Sequence, residues 1–209
     1  MKAGLTEIVC IIDKSGSMIS MQKDVIGSFN TFVEEQKQLP GEARLSLTTF
    51  DTSFSIIESG TPLRDVPLLT EKTYAPFGMT ALLDAVGKTV DEVGARLNST
   101  PEDEKPERVI VVIITDGFEN SSKEYSLDQI KEKIQTQQDQ FKWAFIFFGA
   151  NQNAFAAAGS MGIAAQSTAV YNSTPEGTRH AFASGIGDNV TNFRATGNST
   201  VKYDKDSKP

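Results

Sequence analysis

Ile8-Val9-Cys10-Ile11-Ile12-Asp13-Lys14-Ser15-Gly16-Ser17 runs from five unbroken apolar residues into a carboxylate and two hydroxyls. An apolar run of that length, rich in β-branched side chains and closed by a polar turn, predicts a buried strand. The pattern returns at Val109 to Thr115, which ends in Asp116-Gly117. Two strands therefore each deliver an acid at the C-terminal end. Between them, Gly78-Met79-Thr80 places another hydroxyl just ahead of a long helical pattern.

Outward from these two strands the chain alternates between the two periods. Val25, Ile26, Phe29, Phe32 and Val33 recur at spacings of three and four, marking one face of a helix that ends before Pro40-Gly41. Leu45 to Phe50 and Ser53 to Ile57 read as strands, and the two-residue link Asp51-Thr52 is too short for a parallel crossover, so these two form an antiparallel hairpin. From Glu58 to Met79 there is no sustained period, and Pro62, Pro67, Pro76, Gly60 and Gly78 mark a long loop. A helix from about Ala81 to Leu97 follows, with Leu82, Leu83, Val86, Val90, Val93 and Leu97 on its apolar face. After the strand ending at Asp116 come a helix carrying Leu127, Ile130 and Ile134 and a strand from Ala144 to Phe148. The turn Gly149-Ala150-Asn151-Gln152-Asn153 then leads to a short helix with Phe155, Ala158 and Met161. A weak strand from Ser167 to Tyr171 and a helix with Phe182, Ile186, Val190 and Phe193 on one face complete the pattern. The expected fold class is α/β: a doubly wound, mostly parallel six-stranded sheet with one antiparallel strand and helices on both faces. Residues 1–196 form one domain, and the polar, aperiodic residues 197–209 are expected to be a disordered tail.

The candidate site consists of Asp13, Ser15, Ser17, Thr80 and Asp116. Taken singly, each has an ordinary explanation, since Ser15, Ser17 and Thr80 can cap the helices that follow and Asp116-Gly117 can be a turn. Their convergence at strand ends argues otherwise. A set of oxygen donors without sulfur or imidazole suits a hard divalent cation, Mg2+, Mn2+ or Ca2+. Without such a cation, two carboxylates held close repel each other and one pKa rises.

This constellation resembles the metal-ion-dependent adhesion site of the von Willebrand factor A family, whose pattern is Asp-x-Ser-x-Ser, a distant Thr and a distant Asp. The order of elements fits one such domain from Leu5 to roughly Phe193. The resemblance implies strand order 3-2-1-4-5-6, which makes strands one and four neighbours at the switch point of the sheet, so that Asp13 and Asp116 face one crevice. It also implies a bound divalent cation, most often Mg2+, whose open coordination position is filled by a carboxylate from a protein partner. Ser15, Ser17 and Thr80 would be direct ligands, with Asp13 and Asp116 acting directly or through water. Phe77 and Met79 flank Thr80 in sequence, and either border the partner contact or pack beneath the loop as core. The turn from Gly149 to Asn153 either lines the same face with its carbonyl and amide groups or is an ordinary strand-to-helix loop.

Composition narrows the remaining classes. The 209 residues carry 20 Lys plus Arg against 27 Asp plus Glu, a net charge of -7, and no basic stripe compensates locally, which argues against nucleic acid and anionic membrane as general partners. No apolar run is long enough for a membrane span. Cys10 is the one cysteine, central in the first strand, and reads as a small buried hydrophobe; the absence of an internal disulfide suits a reducing, cytoplasmic compartment. His180 is also alone and reads as an ordinary helical histidine, and Lys14 as a solvent-pointing side chain between ligands. The expected function is a metal-dependent protein-binding module without catalysis of its own. Competing classes are a metal-dependent hydrolase or phosphotransferase using the same oxygens and a scaffolding protein whose metal is structural. The former lacks a phosphate-cradling Gly-rich loop, a His-Glu-x-x-His helix and the second acid that a strand-end aspartate nucleophile would have at position 15.

Overall fold

A computed structural model describes residues 1–150 and 153–206. The strands are β1 Lys2–Asp13, β2 Ala43–Phe50, β3 Phe54–Pro62, β4 Pro106–Thr115, β5 Ala144–Gly149 and β6 Thr168–Val170. They form one sheet in the order β3-β2-β1-β4-β5-β6, in which β2 with β3 is the antiparallel pair and the other pairs are parallel. The helices are α1 Gln22–Lys37, α2 Leu82–Ser99, α3 Leu127–Phe141, α4 Ala154–Ser160, α5 Pro175–His180 and α6 Asp188–Thr196. This is the doubly wound α/β sheet that the alternation of periods predicts.

Alternation along β1 divides the apolar residues between two cores. Ile8, Cys10 and Ile12 pack with Val25, Phe29 and Phe32 of α1 and with Phe182, Ile186 and Val190 near the C-terminus. Val9 and Ile11 point the other way, onto Val86, Val90 and Val93 of α2 and Ile130 and Ile134 of α3. A strand buried on both faces must be apolar at every position, and each such side chain is worth about 1.5–3 kcal/mol of burial. Cys10 shares that burial, which pushes its thiol up to about 12 and leaves it unreactive.

The register fixes where the strands end. Ile8 pairs with Ile110 and Ile12 with Ile114, so β1 and β4 terminate side by side at Asp13 and Thr115, with Asp116 next in the chain. The neighbouring pair Thr115 and Gly149 brings the end of β5 to the same level.

Three features depart from the sequence pattern. β3 runs to Pro62 rather than stopping at Ile57, pairing Thr61 with Leu45 and Pro62 with Arg44. Its register shifts twice against β2, and these irregularities erase the two-residue period that would have revealed the strand. The long loop therefore begins only after Pro62. The last helical pattern is three segments in succession, with the π-helical stretch Ala181–Gly187 joining α5 to α6. Within it, Gly185 lets the chain approach Phe148 closely, since a Cβ there would fall 2.6 Å from that ring.

The third feature lies in the last residues. Residues 198–206 run back along the domain as a strap that bonds to Gln166 and Ser167 ahead of β6, to Asn172 after it and to Asn189 of α6. Val201 N–H donates to Gln166 O (2.8 Å), and Lys202 exchanges bonds with the side chain of Asn189, donating to Oδ1 (2.9 Å) and accepting from Nδ2 (3.1 Å). Tyr203 meets Phe148 edge-on at 5.6 Å between centroids and lies 5.0 Å from the His180 ring. Two side chains separated by a polar residue carry too little periodicity to be read as a docking segment. Replacing Tyr203 with Ala should lower stability by about 2 kcal/mol, because a large ring is lost from a packed niche. Ending the chain after Gly197 should cost more than that single change. Urea denaturation measures both, and an unchanged midpoint in the shortened protein would show that the strap contributes no stability.

Candidate metal centre

Asp13 closes β1 and is wholly buried. Its Oδ1 accepts from Ser15 N–H (2.6 Å) and its Oδ2 from the Thr115 hydroxyl (2.5 Å). The hydroxyls of Ser15 and Ser17 lie 3.1 Å apart, and Ser17 Oγ donates to Asp116 Oδ1 (2.6 Å). Asp116 Oδ2 accepts from Ser173 Oγ (3.2 Å), a partner from beyond β6 that the sequence pattern did not suggest. Thr80 arrives through Gly117: a Cβ on that glycine would fall 2.6 Å from Thr80 Oγ1 and 3.5 Å from Asp13 Oδ2, so hydroxyl and carboxylate flank it closely. The five predicted side chains thus converge on one patch at the C-terminal ends of β1 and β4.

Capping does not account for these hydroxyls. Ser15 precedes the 3-10 turn Gly16–Met21 but its side chain makes no capping bond, and α1 begins only at Gln22. The residue before α2 is Ala81, not Thr80. The first turn of α2 is instead capped from a distance: Leu83 N–H donates to Glu119 Oε2 (2.9 Å) and Asp84 N–H to Ser122 Oγ (3.1 Å). In return the Asp84 carboxylate accepts from the N–H groups of Lys123, Glu124 and Tyr125, each at 2.9 Å. Asn120 completes the staple, its Oδ1 accepting from Thr80 N–H (2.9 Å) while its own N–H donates to Thr80 O (3.0 Å). The loop after β4 and the segment carrying Thr80 are thereby fixed to one another.

The other side of the site is held as tightly. Tyr74, fully buried, donates its hydroxyl to Asp13 O (2.6 Å). Phe77 N–H donates to Lys14 O (2.8 Å) and Gly16 N–H to Gly78 O (3.0 Å). Gly78 has φ 75, and a Cβ there would stand 2.7 Å from Thr52 Oγ1, so this turn requires glycine. Lys14 is not solvent-pointing. Its ammonium pairs with Asp51, both side chains being about nine-tenths buried. Burial alone would raise the Asp51 carboxyl, but the bonds from Lys14 and Ser53 outweigh it and hold the group below its usual range. The one cation adjacent to the ligands in sequence is committed to the β2–β3 turn.

The electrostatics follow from that commitment. Burial pushes the Asp13 carboxyl up to about 6, against the bonds from Thr115 and Ser15, and the charge of Asp116 pushes in the same direction as burial. Among the described residues no three or more His, Cys, Asp or Glu side chains gather into a metal-holding group. The donors here are two acids and three hydroxyls, a hard oxygen set that fits a divalent cation such as Mg2+ or Mn2+ and offers nothing to a soft metal. Phe77 and Met79 beside Thr80 are both exposed, not packed beneath the loop. At the rim after β5, Asn151 and Gln152 lie outside the described residues.

No family model and no curated protein sequence matches the chain. Solved structures do. The von Willebrand factor domain of the type V pili tip protein Mfa5 from Porphyromonas gingivalis aligns over 92% of this chain and 95% of that one, with TM-score 0.62 and 14% identity. Proximal thread matrix protein 1 from the mussel byssus aligns over 86% of this chain but 44% of its own, with TM-score 0.59 and 14% identity, so the chain spans less than half of that protein. Manganese-loaded TRAP protein from Plasmodium vivax aligns over 82% of this chain and 70% of that one, with TM-score 0.53 and 16% identity. The chain has the von Willebrand factor A fold.

The Asp84 staple generates a direct test. Burial alone would raise this carboxyl, but three backbone donors outweigh it and hold it below its usual value of 3.8. A depressed carboxylate contributes stability that is complete above the unfolded value and is lost as pH falls through the lower folded one. Asp84→Asn should therefore cost about 1–2 kcal/mol at pH 7, because its amide turns a donor toward a backbone donor. The gap to the parent should narrow only below the unfolded value near 3.8. Denaturation of both proteins at neutral pH and again well below that value checks the sign, and a gap that widens on acidification would contradict it.

Proposed function

We propose that the protein is a divalent-metal-dependent protein-binding module in which a carboxylate from a partner completes the coordination of the cation. The observation that carries this reading is a buried strand-end aspartate, Asp13, grouped with Asp116 and three hydroxyls while the adjacent Lys14 is paired elsewhere. A buried carboxylate without a cationic partner costs several kcal/mol, and a metal ion supplies the missing charge. In this reading Ser15, Ser17 and Thr80 present neutral oxygens, and Asp13 and Asp116 balance the charge of a divalent ion. Such an ion remains electrophilic toward one more anionic oxygen.

The TRAP protein, which shares this fold, was solved loaded with manganese, which supports metal binding by this chain, and Mg2+ is the ion we favour. The assignment is to binding without catalysis. Lys14, adjacent to the ligands in sequence, is engaged with Asp51, which supports this reading. Among the described residues no helix is long and apolar enough to cross a membrane.

Metal should stabilise the parent protein, by about 2.7 kcal/mol when its concentration is a hundredfold above the dissociation constant. Thermal melts with Mg2+, with Mn2+ and with chelator measure this. Asp116→Ala should abolish the metal-dependent rise. Asp13→Asn should abolish it too while leaving the metal-free protein at least as stable as the parent, because it removes a buried charge and keeps the shape. A metal-dependent rise in both variants equal to that of the parent would refute the assigned cage.

A further inference from the structure

Ten large apolar side chains are exposed among the described residues, and four of them stand within three residues of a proposed metal ligand. Ile19 (60% exposed) follows Ser17, Phe77 (77%) and Met79 (51%) precede Thr80, and Phe118 (58%) follows Asp116. The backbone holds their segments together. Gly16 N–H bonds to Gly78 O, Phe77 N–H to Lys14 O, and Asn120 N–H to Thr80 O, so all three loops meet at the candidate metal position. Exposed Leu or Phe scattered singly needs no explanation, whereas several on adjoining loops around one site mark an interaction surface.

The charge of this rim selects among possible occupants. Residues 15–20, 76–80, 116–120 and 172–174 contain no Lys, Arg or His. Of their acids, Asp116 belongs to the proposed cage and Glu119 is engaged with the amides of Leu83, Ser121 and Ser122. A phosphate or nucleotide brings several negative charges and would find no cationic side chain within these segments to share them, and Lys14 beside them is committed to Asp51. A single carboxylate needs none, because the cation alone satisfies it, and its neighbours then lie over apolar surface.

Resting on the metal-dependent reading above, we infer that the partner presents its acid on an apolar protein segment, with aromatic or aliphatic side chains within a few positions of one Asp or Glu. These side chains pack on Ile19, Phe77, Met79 and Phe118 while the carboxylate reaches the metal. The rim supplies most of the selectivity among acids: an isolated carboxylate gains only the coordination bond, and a peptide buries apolar area in addition.

The probe is a random peptide library displayed on phage and panned on the immobilised full chain with Mg2+. Bound phage are released with chelator, with Asp13→Ala protein as the control matrix. Sequences enriched on the parent should share one acid flanked by apolar residues. A synthetic peptide from that set should bind about tenfold more weakly to Phe77→Ser and to Phe118→Ser, the loss expected for an exposed aromatic anchor. The Mg2+-induced melting shift of both variants should match that of the parent, which shows that they remain folded and keep the metal. Enriched peptides with an acid but no apolar preference, or affinities unmoved by both variants, would overturn the rim and leave the metal reading intact. Release that does not depend on chelator, or enrichment without an acid, would overturn the metal reading itself. No enrichment over the Asp13→Ala matrix would overturn the inferred ligand class.

Discussion

Two carboxylates delivered side by side at the ends of adjacent parallel strands, with no lysine or arginine paired to them among the described residues, form the constraint around which the rest of this fold is arranged. The register of β1 on β4 leaves no alternative, since Ile12 opposite Ile114 places Asp13 and the Thr115-Asp116 step at one level. Asp13 is then enclosed by the same packing that makes β1 apolar on both faces. Its raised pKa expresses the cost of that position. A protein does not ordinarily hold such a charge in its interior unless something outside the chain repays it.

The surrounding loops show how the position is maintained. Each segment that carries a ligand is tied down by groups that are not ligands themselves. Tyr74 holds the carbonyl of Asp13, Asn120 clasps Thr80 in both directions, and Asp84 and Glu119 bind the loop after β4 to the first turn of α2. Lys14 fastens the first loop to Asp51 at the β2–β3 turn. Gly117 and Gly78 stand where any side chain would collide with Thr80 or Thr52. This framework leaves Ile19, Phe77, Met79 and Phe118 facing solvent, although each lies in a loop that is otherwise thoroughly bonded. Backbone order combined with apolar exposure is the condition of a preformed recognition surface, because little entropy remains to be lost on binding.

The strands and the five oxygen-bearing side chains at their ends were legible in the sequence because each rests on a local pattern: an apolar run, a two-residue turn, a polar cluster at a strand end; the strand order followed from the family resemblance alone. What escaped was non-local or irregular. The staple between α2 and the loop after β4 joins residues some forty positions apart, and nothing near Asp84 or Glu119 distinguishes them from surface acids. Lys14 looked solvent-facing because Asp51 is remote in sequence. β3 beyond Ile57 was hidden by its register shifts, and the strap by the lack of any period around Val201 and Tyr203. The exposure of Phe77 and Met79 could not be read from spacing, since an apolar residue in a loop serves equally as core or as contact.

The position of a bound cation decides between these readings of the site. Crystals of the protein grown or soaked with Mn2+ and measured at the manganese absorption edge would locate the ion directly by its anomalous signal. One strong peak is expected at the ends of β1 and β4, surrounded by oxygens of Asp13, Ser15, Ser17, Thr80 and Asp116, directly or through water. A fully occupied ion elsewhere, or no peak at this position in crystals saturated with Mn2+, would contradict the proposed metal centre.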